Sequence, residues 1–455
     1  MYIKQIYTNC LSQASYYIES GDECVIIDPL RDIDLYTSLI KKRDKKLKYV
    51  LETHFHADFI SGHLELSNKY SCPIIYGPNA NTKYNSISLK DGDVLGIGKM
   101  KIKIIHTPGH TLESVCYLLL DEKNNQHSVY TGDTLFIGDV GRPDLAIDNT
   151  LTEKALCKML YHSLYNKIMK LDDNILVYPA HGKGTQCGKN LSSDTFSTLG
   201  NQKMNNYALK YNNIDDFTNA ILSDLPLSPD YFKDTAYKNK YGYLLKSELF
   251  NKSLIALDKN IFLRYYKDDY FVLDTRSSKS FSKMHLKGST NISLNGRYAI
   301  SAANLIDVKS NLLIISDIGF EEESIVRLNR VGFDNIVGFL SGGINSFKNE
   351  KNLIDSVEET SGKDFHLLDD YEIIDVRDKN EFDNLHVQGA KNYPLFDIIN
   401  NTSKFKKNKK YVIHCLTGYR SSIASSLLKQ HDIKNIINVN DGFKVISKNT
   451  KVILQ

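Results

Sequence analysis

Short apolar runs, each stopped by a polar or glycine-bearing turn, recur along the first half of the chain: Met1 to Tyr7, Tyr49 to Leu51, Met100 to Ile105, Ser128 to Tyr130 and Ile175 to Tyr178. Runs this short and rich in Ile, Val and Tyr predict β-strands. Four of them end in residues of one chemical kind. His54-Phe55-His56-Ala57-Asp58 follows the run at Tyr49, and His110 lies in Thr107-Pro108-Gly109-His110-Thr111. Asp133 lies in Thr131-Gly132-Asp133-Thr134 and His181 in Pro179-Ala180-His181-Gly182. Backbone leaving a ladder can turn sharply and aim a short side chain, so four such strand ends predict one cluster of imidazoles and carboxylates at a sheet edge.

The second half repeats itself. Leu273-Asp274-Thr275-Arg276 onward to Leu294 aligns without gaps on Ile374-Asp375-Val376-Arg377 to Leu395 at a constant offset of 101, and each unit carries His-x-x-Gly, His285 to Gly288 and His386 to Gly389. Two copies of one α/β domain are expected, over residues 255–350 and 362–455, behind a domain over 1–250. In the second copy the run Tyr411 to His414 enters Cys415-Leu416-Thr417-Gly418-Tyr419-Arg420-Ser421-Ser422 and then an apolar-periodic helix from Ile423 to Leu428. A cysteine at a strand-to-helix turn meets outward-pointing backbone N–H groups and the positive end of the helix dipole, both of which favour thiolate. Cys415 is therefore the candidate nucleophile, and Arg420 the cation that would hold an anionic sulfur. Aligning Leu313-Ile314-Ile315-Ser316 with Tyr411 to His414 puts Asp317 opposite Cys415 and Glu322 opposite Arg420. The first copy is expected to lack sulfur chemistry and to act as a scaffold or docking element.

With 455 residues, 42% of them hydrophobic, the chain suits two to four domains with sizeable cores. A formal charge of +3, from 57 basic and 54 acidic residues, offers no field for nucleic acid or a membrane surface. The seven scattered cysteines suit a reducing cytosol, and the start of the chain reads as a strand rather than a cleavable leader, so a cytoplasmic protein is expected.

The order and spacing of the strand-end residues resemble the metallo-β-lactamase superfamily, which implies an αββα sandwich ahead of the two repeats. In that superfamily's two-metal hydrolases a second-site histidine follows the motif aspartate; here the residue is Phe59, which cannot coordinate. The resemblance then implies one metal ion held by His54, His110 and Asp133. His56, Asp58 and His181 become orienting or substrate-pocket residues. Two imidazoles and one carboxylate with open positions suit Fe(II) and O2, whereas catalytic zinc more often has three protein ligands and a water.

Gly138-Asp139-Val140-Gly141-Arg142-Pro143-Asp144-Leu145 and Ser197-Thr198-Leu199-Gly200 are similar to segments of the superfamily's persulfide dioxygenases. Arg142 is left as a substrate-pocket residue or as a partner for Asp144. The Cys415 loop resembles that of rhodanese sulfurtransferases, with four residues between Cys and Arg where cysteine-dependent phosphatases have five. Dioxygenase, inactive rhodanese and active rhodanese in this order resemble the three-domain persulfide dioxygenase-sulfurtransferases of bacterial sulfide detoxification. That resemblance implies one Fe(II) per chain, small-molecule persulfides, O2 and sulfite as reactants, a homo-oligomer, and a place near the iron for Cys187. Lys183 and Lys189 are left as contacts for an anionic carrier thiol or as solvated groups. A zinc thioester hydrolase of the glyoxalase II type and a non-enzymatic persulfide carrier or sensor are the alternatives.

Overall fold

The structure, a computed structural model, describes residues 1–146 and 151–455. It divides into two compact units, Met1–Glu248 with Asn329–Gly332, and Leu249–Leu328 with Phe333–Gln455.

The first unit is built on two six-stranded sheets. One runs β1 (Tyr2–Thr8), β2 (Gln13–Ser20), β3 (Glu23–Ile27), β4 (Lys46–Leu51), β5 (Ile74–Tyr76), β6 (Ile87–Ser88) in sequence order. The other contains β7 (Val94–Ile97), β8 (Met100–His106), β9 (Val115–Leu120), β10 (Gln126–Gly132), β11 (Leu176–Pro179) and β12 (Ser197–Thr198), again side by side in order. Tyr16, Ile18, Val25 and Leu51 from the first sheet pack on Ile102, Tyr117, Leu119 and Tyr130 from the second. The outer face of the first sheet buries Tyr36 and Ile40 of the helix Asp34–Arg43. That of the second buries Leu160 and Leu164 of the helix Glu153–Asn166 and Phe217 of the helix Ile214–Leu222. Helix, sheet, sheet and helix form four layers. Every residue of β2 is buried, as a strand covered on both faces must be.

At one edge the sheets are tied together beside the strand ends. Ala14 N–H donates to the Ala180 carbonyl at 2.7 Å, Gly182 N–H to Ser12 at 2.9 Å, and Ala180 N–H to Gly132 at 3.0 Å. The backbone on both sides of His181 is thus fixed to β2 and β10.

The second unit contains two five-stranded parallel sheets of the same topology. In the first copy the spatial order is Ala256–Leu257, Ile336–Leu340, Leu312–Ile315, Phe271–Asp274, Thr290–Asn291. In the second it is Glu358–Thr360, Ile436–Val439, Tyr411–His414, Glu372–Asp375, Lys391–Asn392.

Strand pairing corrects the alignment of the two loops. Asp274 pairs with Ile315 and Asp375 with His414, so the residue that occupies the Cys415 position in the first copy is Ser316, not Asp317. The loops differ in length by one residue. Ser324 N–H closes the first helical turn on Phe320 in the first copy, whereas Ser422 N–H closes it on Gly418 in the second. Laying Leu313 to Ser316 on Tyr411 to His414 puts the strands one residue out of register and yields Asp317, which fits only from the helix end; the strand pairing gives Ser316. The helix after Cys415 also begins earlier than its apolar pattern predicts, at Tyr419, and runs to Gln430. Ser421 to Leu428 are all buried, so no apolar stripe marks this helix. Two of its four serines reach across the repeat, Ser422 Oγ–H donating to Asn291 Oδ1 and Ser426 Oγ accepting from Asn291 N–H, both at 3.0 Å. Among the described residues no helix is long and apolar enough to cross a membrane, and the seven cysteines are free.

Candidate functional site

The four strand ends converge. β4 delivers His54, His56 and Asp58, the turn after β8 His110, the end of β10 Asp133, and the end of β11 His181; all are buried. Gly132, in the left-handed region at φ +51°, turns the chain out of β10, and a Cβ there would lie 2.5 Å from Thr53 Oγ1. Only glycine lets Asp133 come this close to the residue preceding His54.

His54, His110 and Asp133 each offer one atom within 4.8 Å of the others. Asp133 Oδ2 lies 3.8 Å from His54 Nε2 and 3.5 Å from His110 Nε2, and both of its carboxylate oxygens lack a hydrogen-bond partner. Separations beyond hydrogen-bonding range suit atoms that share a cation at about 2 Å each rather than a proton. The other ring nitrogens fix the tautomers. His110 Nδ1–H donates to the Arg142 carbonyl at 2.8 Å. Thr53 donates its hydroxyl proton to Asp28 Oδ2 at 2.8 Å, so its oxygen accepts from His54 Nδ1–H at 2.9 Å. Each Nε2 is left with a lone pair aimed inward, the outer-sphere arrangement typical of metal-binding histidines.

Electrostatics agree with a cation at this point. Burial pushes Asp133 and Asp58 up to about 6, presses His110 down to about 4, and moves His54 well below the usual imidazole range. A divalent ion held by His54, His110 and Asp133 would favour the neutral imidazoles that burial already selects and would return Asp133 to its ionised form.

A second set, His56, Asp58 and His181, lies beside the first, and Cys187 approaches Asp133 and His181. His181 Nε2 is 3.5 Å from Asp133 and 3.6 Å from Asp58, and neither of its ring nitrogens has a hydrogen-bond partner. The Phe59 ring covers this set, 4.3 Å from the His56 ring and 6.4 Å from that of His181. His56 turns Nε2 toward Asp28 at 3.1 Å and Glu52 at 3.6 Å. Burial opposes its charge, yet Asp28 and Glu52 hold it at about 9. Cys187 is buried in the site, and burial together with Asp58 and Asp133 pushes its thiol well above the usual range.

Arg142 takes the pairing role. Its guanidinium meets both Asp144 oxygens at 2.6 Å and donates to the carbonyls of Gln186 at 3.2 Å and Pro226 at 2.7 Å, which leaves it holding the wall of the site rather than facing a substrate. Lys189 donates to the carbonyls of Ala220 at 2.7 Å and Ser223 at 2.8 Å, at the C-terminus of the helix Ile214–Leu222, and so caps a helix. Lys183 is exposed.

Sequence reasoning missed Asp28, Glu52, Thr53 and Asn239. Asp28 follows β3 and Glu52-Thr53 follows β4, so the strand-end rule could have found them. Asn239 carries no such signal. From the helix Tyr231–Tyr241 it donates to the carbonyls of His56 at 2.7 Å and Phe59 at 2.8 Å and accepts from Ser61 N–H at 2.9 Å, which locks the loop around Phe59.

In the second unit Cys415 is buried at the end of the strand Tyr411–His414, and Gly418 N–H donates to its Sγ at 3.2 Å. Arg420 pairs with Glu381 at 2.6 and 2.9 Å and approaches Asp378 at 3.4 Å. Two carboxylates thus face the guanidinium.

Residues 8–181 match the model of the metallo-beta-lactamase superfamily, and residues 262–350 and 363–449 match that of the rhodanese-like domain. The chain joins a metallo-β-lactamase domain to two rhodanese-like domains. Hydroxyacylglutathione hydrolase of Francisella tularensis subsp. novicida is 33% identical over 174 residues, which are 38% of this chain and 64% of that protein. The Francisella philomiragia protein of the same name is 34% identical over the same shares. The chain thus matches just under two thirds of the length of these curated relatives. A crystal structure named as a metallo-beta-lactamase from Staphylococcus aureus subsp. aureus COL is 28% identical with a TM-score of 0.66, covering 74% of this chain and 98% of that one. ETHE1 from Myxococcus xanthus is 24% identical with a TM-score of 0.46, covering 53% and 98%.

Proposed function

We propose that the chain is a non-haem Fe(II) persulfide dioxygenase whose second rhodanese-like copy transfers a further sulfane sulfur to the sulfite product. The observation that carries this reading is the coexistence in one chain of the His54, His110 and Asp133 set, with the non-coordinating Phe59 ring against the neighbouring set, and a buried thiol whose Sγ accepts from Gly418 N–H at a strand-to-helix turn. The overall oxidation is RSSH + O2 + H2O → RSH + SO3²⁻ + 2 H⁺. At the second copy, RSSH and the Cys415 thiol give Cys415 persulfide and RSH. Attack by SO3²⁻ on the outer sulfur then breaks the S–S bond, releases thiosulfate and returns the thiol.

An Fe(II) ion held by His54, His110 and Asp133 supplies O2 binding and electron transfer when bound. The chain supplies the rest. Thr53 and the Arg142 carbonyl hold both imidazoles with Nε2 unprotonated and inward. The Phe59 ring keeps water from one side, and the Cys187 thiol and His181 Nε2, both beside Asp133, are polar groups that a substrate sulfur would meet. Gly418 N–H steadies charge on Cys415 Sγ.

A thioester hydrolase is the second reading, favoured by the identity to the hydroxyacylglutathione hydrolases. Metal analysis and O2 uptake separate the two. Protein prepared anaerobically with Fe(II) should bind about one iron per chain by the facial-ligand argument and consume O2 with low-molecular-weight persulfides. Two tightly bound zinc ions with turnover of thioesters, and no O2 uptake on any persulfide, would overturn the dioxygenase reading.

A further inference from the structure

The copy without a thiol builds part of the loop in the copy that has one. Tyr419 stands between Gly418, whose N–H meets Cys415 Sγ, and Arg420, yet its side chain is seated in the first copy. Its hydroxyl donates to the Ser293 carbonyl at 3.4 Å, with the Ser301 side chain beside it. Its ring lies against Gly296 so closely that a Cβ there would fall 2.5 Å from Cε2 and 2.6 Å from Cζ. One turn along, Ser422 and Ser426 bond the two sides of Asn291. At the far end of the helix Gln430 donates to Gly288 and Thr290, each at 2.7 Å. The same face of the first copy therefore touches this helix from its first turn to its last.

The contacts are specific to this pairing. Asn291 and its counterpart Asn392 both use their amide N–H groups to bridge the two carbonyls of the Asp and Arg in their own copy. Asn291 Oδ1, in addition, accepts from the other copy. Burial against the first copy pushes the Tyr419 phenol up to about 12, so it stays a neutral donor there.

We propose that Tyr419 is a positioning residue and that Ser293, Gly296 and Ser301 of the first copy are its seat, so that the first copy sets where Gly418 N–H and Arg420 stand relative to Cys415. The inference rests on the reading of Cys415 as a sulfur carrier for its kinetic consequence, but not for its geometric one. A shift of a few tenths of an ångström at Tyr419 is passed to its two chain neighbours, because a peptide unit is rigid.

The test is a double-mutant cycle in the full chain with Gly296→Ala, Tyr419→Ala and both together, and with Tyr419→Phe as the conservative variant. One readout is the pH profile of Cys415 alkylation by iodoacetamide, followed by mass spectrometry of its peptide. The other is the split of KM and kcat for sulfur transfer from thiosulfate to cyanide. Gly296→Ala and Tyr419→Ala should each displace the alkylation profile to higher pH and lower kcat by about tenfold, the scale of a catalytic group misplaced by a fraction of an ångström. The double variant should be no worse than Tyr419→Ala, since the ring that a Cβ strikes is gone. Tyr419→Phe, which keeps the ring, should restore the wild-type pH profile. An unchanged profile and kcat in Gly296→Ala, additive losses in the double variant, or losses that follow the melting temperature alone would each overturn the proposal. If the wild-type protein transfers no sulfur, the reading of Cys415 fails, while the alkylation profiles still decide this one.

Discussion

Three features recur at matching places in the two rhodanese-like copies, although only one copy has a thiol at the strand end. Arg276 clamps Asp274 at 2.5 Å as Arg377 clamps Asp375 at 2.6 Å. His285 stacks on Phe281 with ring centroids 3.9 Å apart, as His386 does on Phe382 at 3.7 Å, and each bonds that residue's carbonyl through Nδ1. Asn291 and Asn392 bridge the same pair of carbonyls. A residue kept in the copy with Ser316 as well as in the copy with Cys415 serves the fold. Chemistry lies in what differs: the sulfur atom, the loop one residue shorter, and Arg420 where the first copy has Glu322. The repeated histidines, which in a single copy would invite a catalytic reading, are thereby assigned to packing.

The comparison is broken most severely by giving the second copy the residue of the first. Cys415→Ser should lower sulfur transfer by about a thousandfold or more, as loss of a nucleophile does. O2 uptake on a small persulfide should continue, with sulfite replacing thiosulfate as the product found by chromatography. The metal set should fail in the opposite sense. His54→Ala, His110→Ala and Asp133→Ala should each abolish iron retention and O2 uptake and leave transfer from thiosulfate to cyanide intact. His181→Ala should be milder. Loss of both activities in any one of these variants would show that the two chemistries are not separable in the way the residues suggest.

Next in size are the shared pairs. Arg276→Met or Arg377→Met leaves a fully buried carboxylate without its cation, at a cost of about 3–5 kcal/mol. Burial already pushes Asp274 upward with the guanidinium in place. Denaturant melts should give similar losses for the two variants, and a loss confined to Arg377→Met would mean that its pair serves the active loop instead of the fold.

His414 offers a subtler distinction, because the strand pairing places Ile315 at its position in the first copy. Burial in the core presses His414 down to about 4. Below the unfolded value near 6.5 the unfolded chain binds a proton that the folded chain refuses, so stability is undiminished above about 6.5 and falls as pH drops from there to about 4. The loss reaches about 3 kcal/mol at the acid end, at 1.36 kcal/mol per unit. His414→Ile should remove this slope from hydrogen exchange of the second copy's sheet between pH 7 and 4; an unaltered slope would place the acid sensitivity elsewhere.

Much of this was legible because the chain writes its ligands in order. His54, His110, Asp133 and His181 each follow a recognisable apolar run, and a strand end constrains position well enough for four of them to meet. Asn239 was not legible, because a helix interior says nothing about which loop its side chain will hold. Neither was the start of the helix after Cys415. Covered by its own sheet on one side and by Asn291 and its neighbours on the other, it has no solvent face to write a 3.6-residue pattern. The Ser316 position was missed for a related reason: a one-residue difference in loop length is invisible until strand pairing fixes the register.

That register sets the smallest expected effect. Ser316→Cys restores a thiol at the strand end of the first copy, and if a buried thiol at such a turn were sufficient, sulfur loading should follow. The longer loop argues otherwise. It moves the first free N–H groups of the helix one residue further from the strand end, and it opens that helix with Glu321, Glu322 and Glu323, whose charge opposes an anionic sulfur where Arg420 would favour one. Ser316→Cys in a Cys415→Ser background should therefore show no sulfur transfer above the Cys415→Ser level and no persulfide on residue 316 by mass spectrometry. A loaded Cys at 316 would mean that the thiol alone distinguishes the copies, and that loop length and charge contribute little.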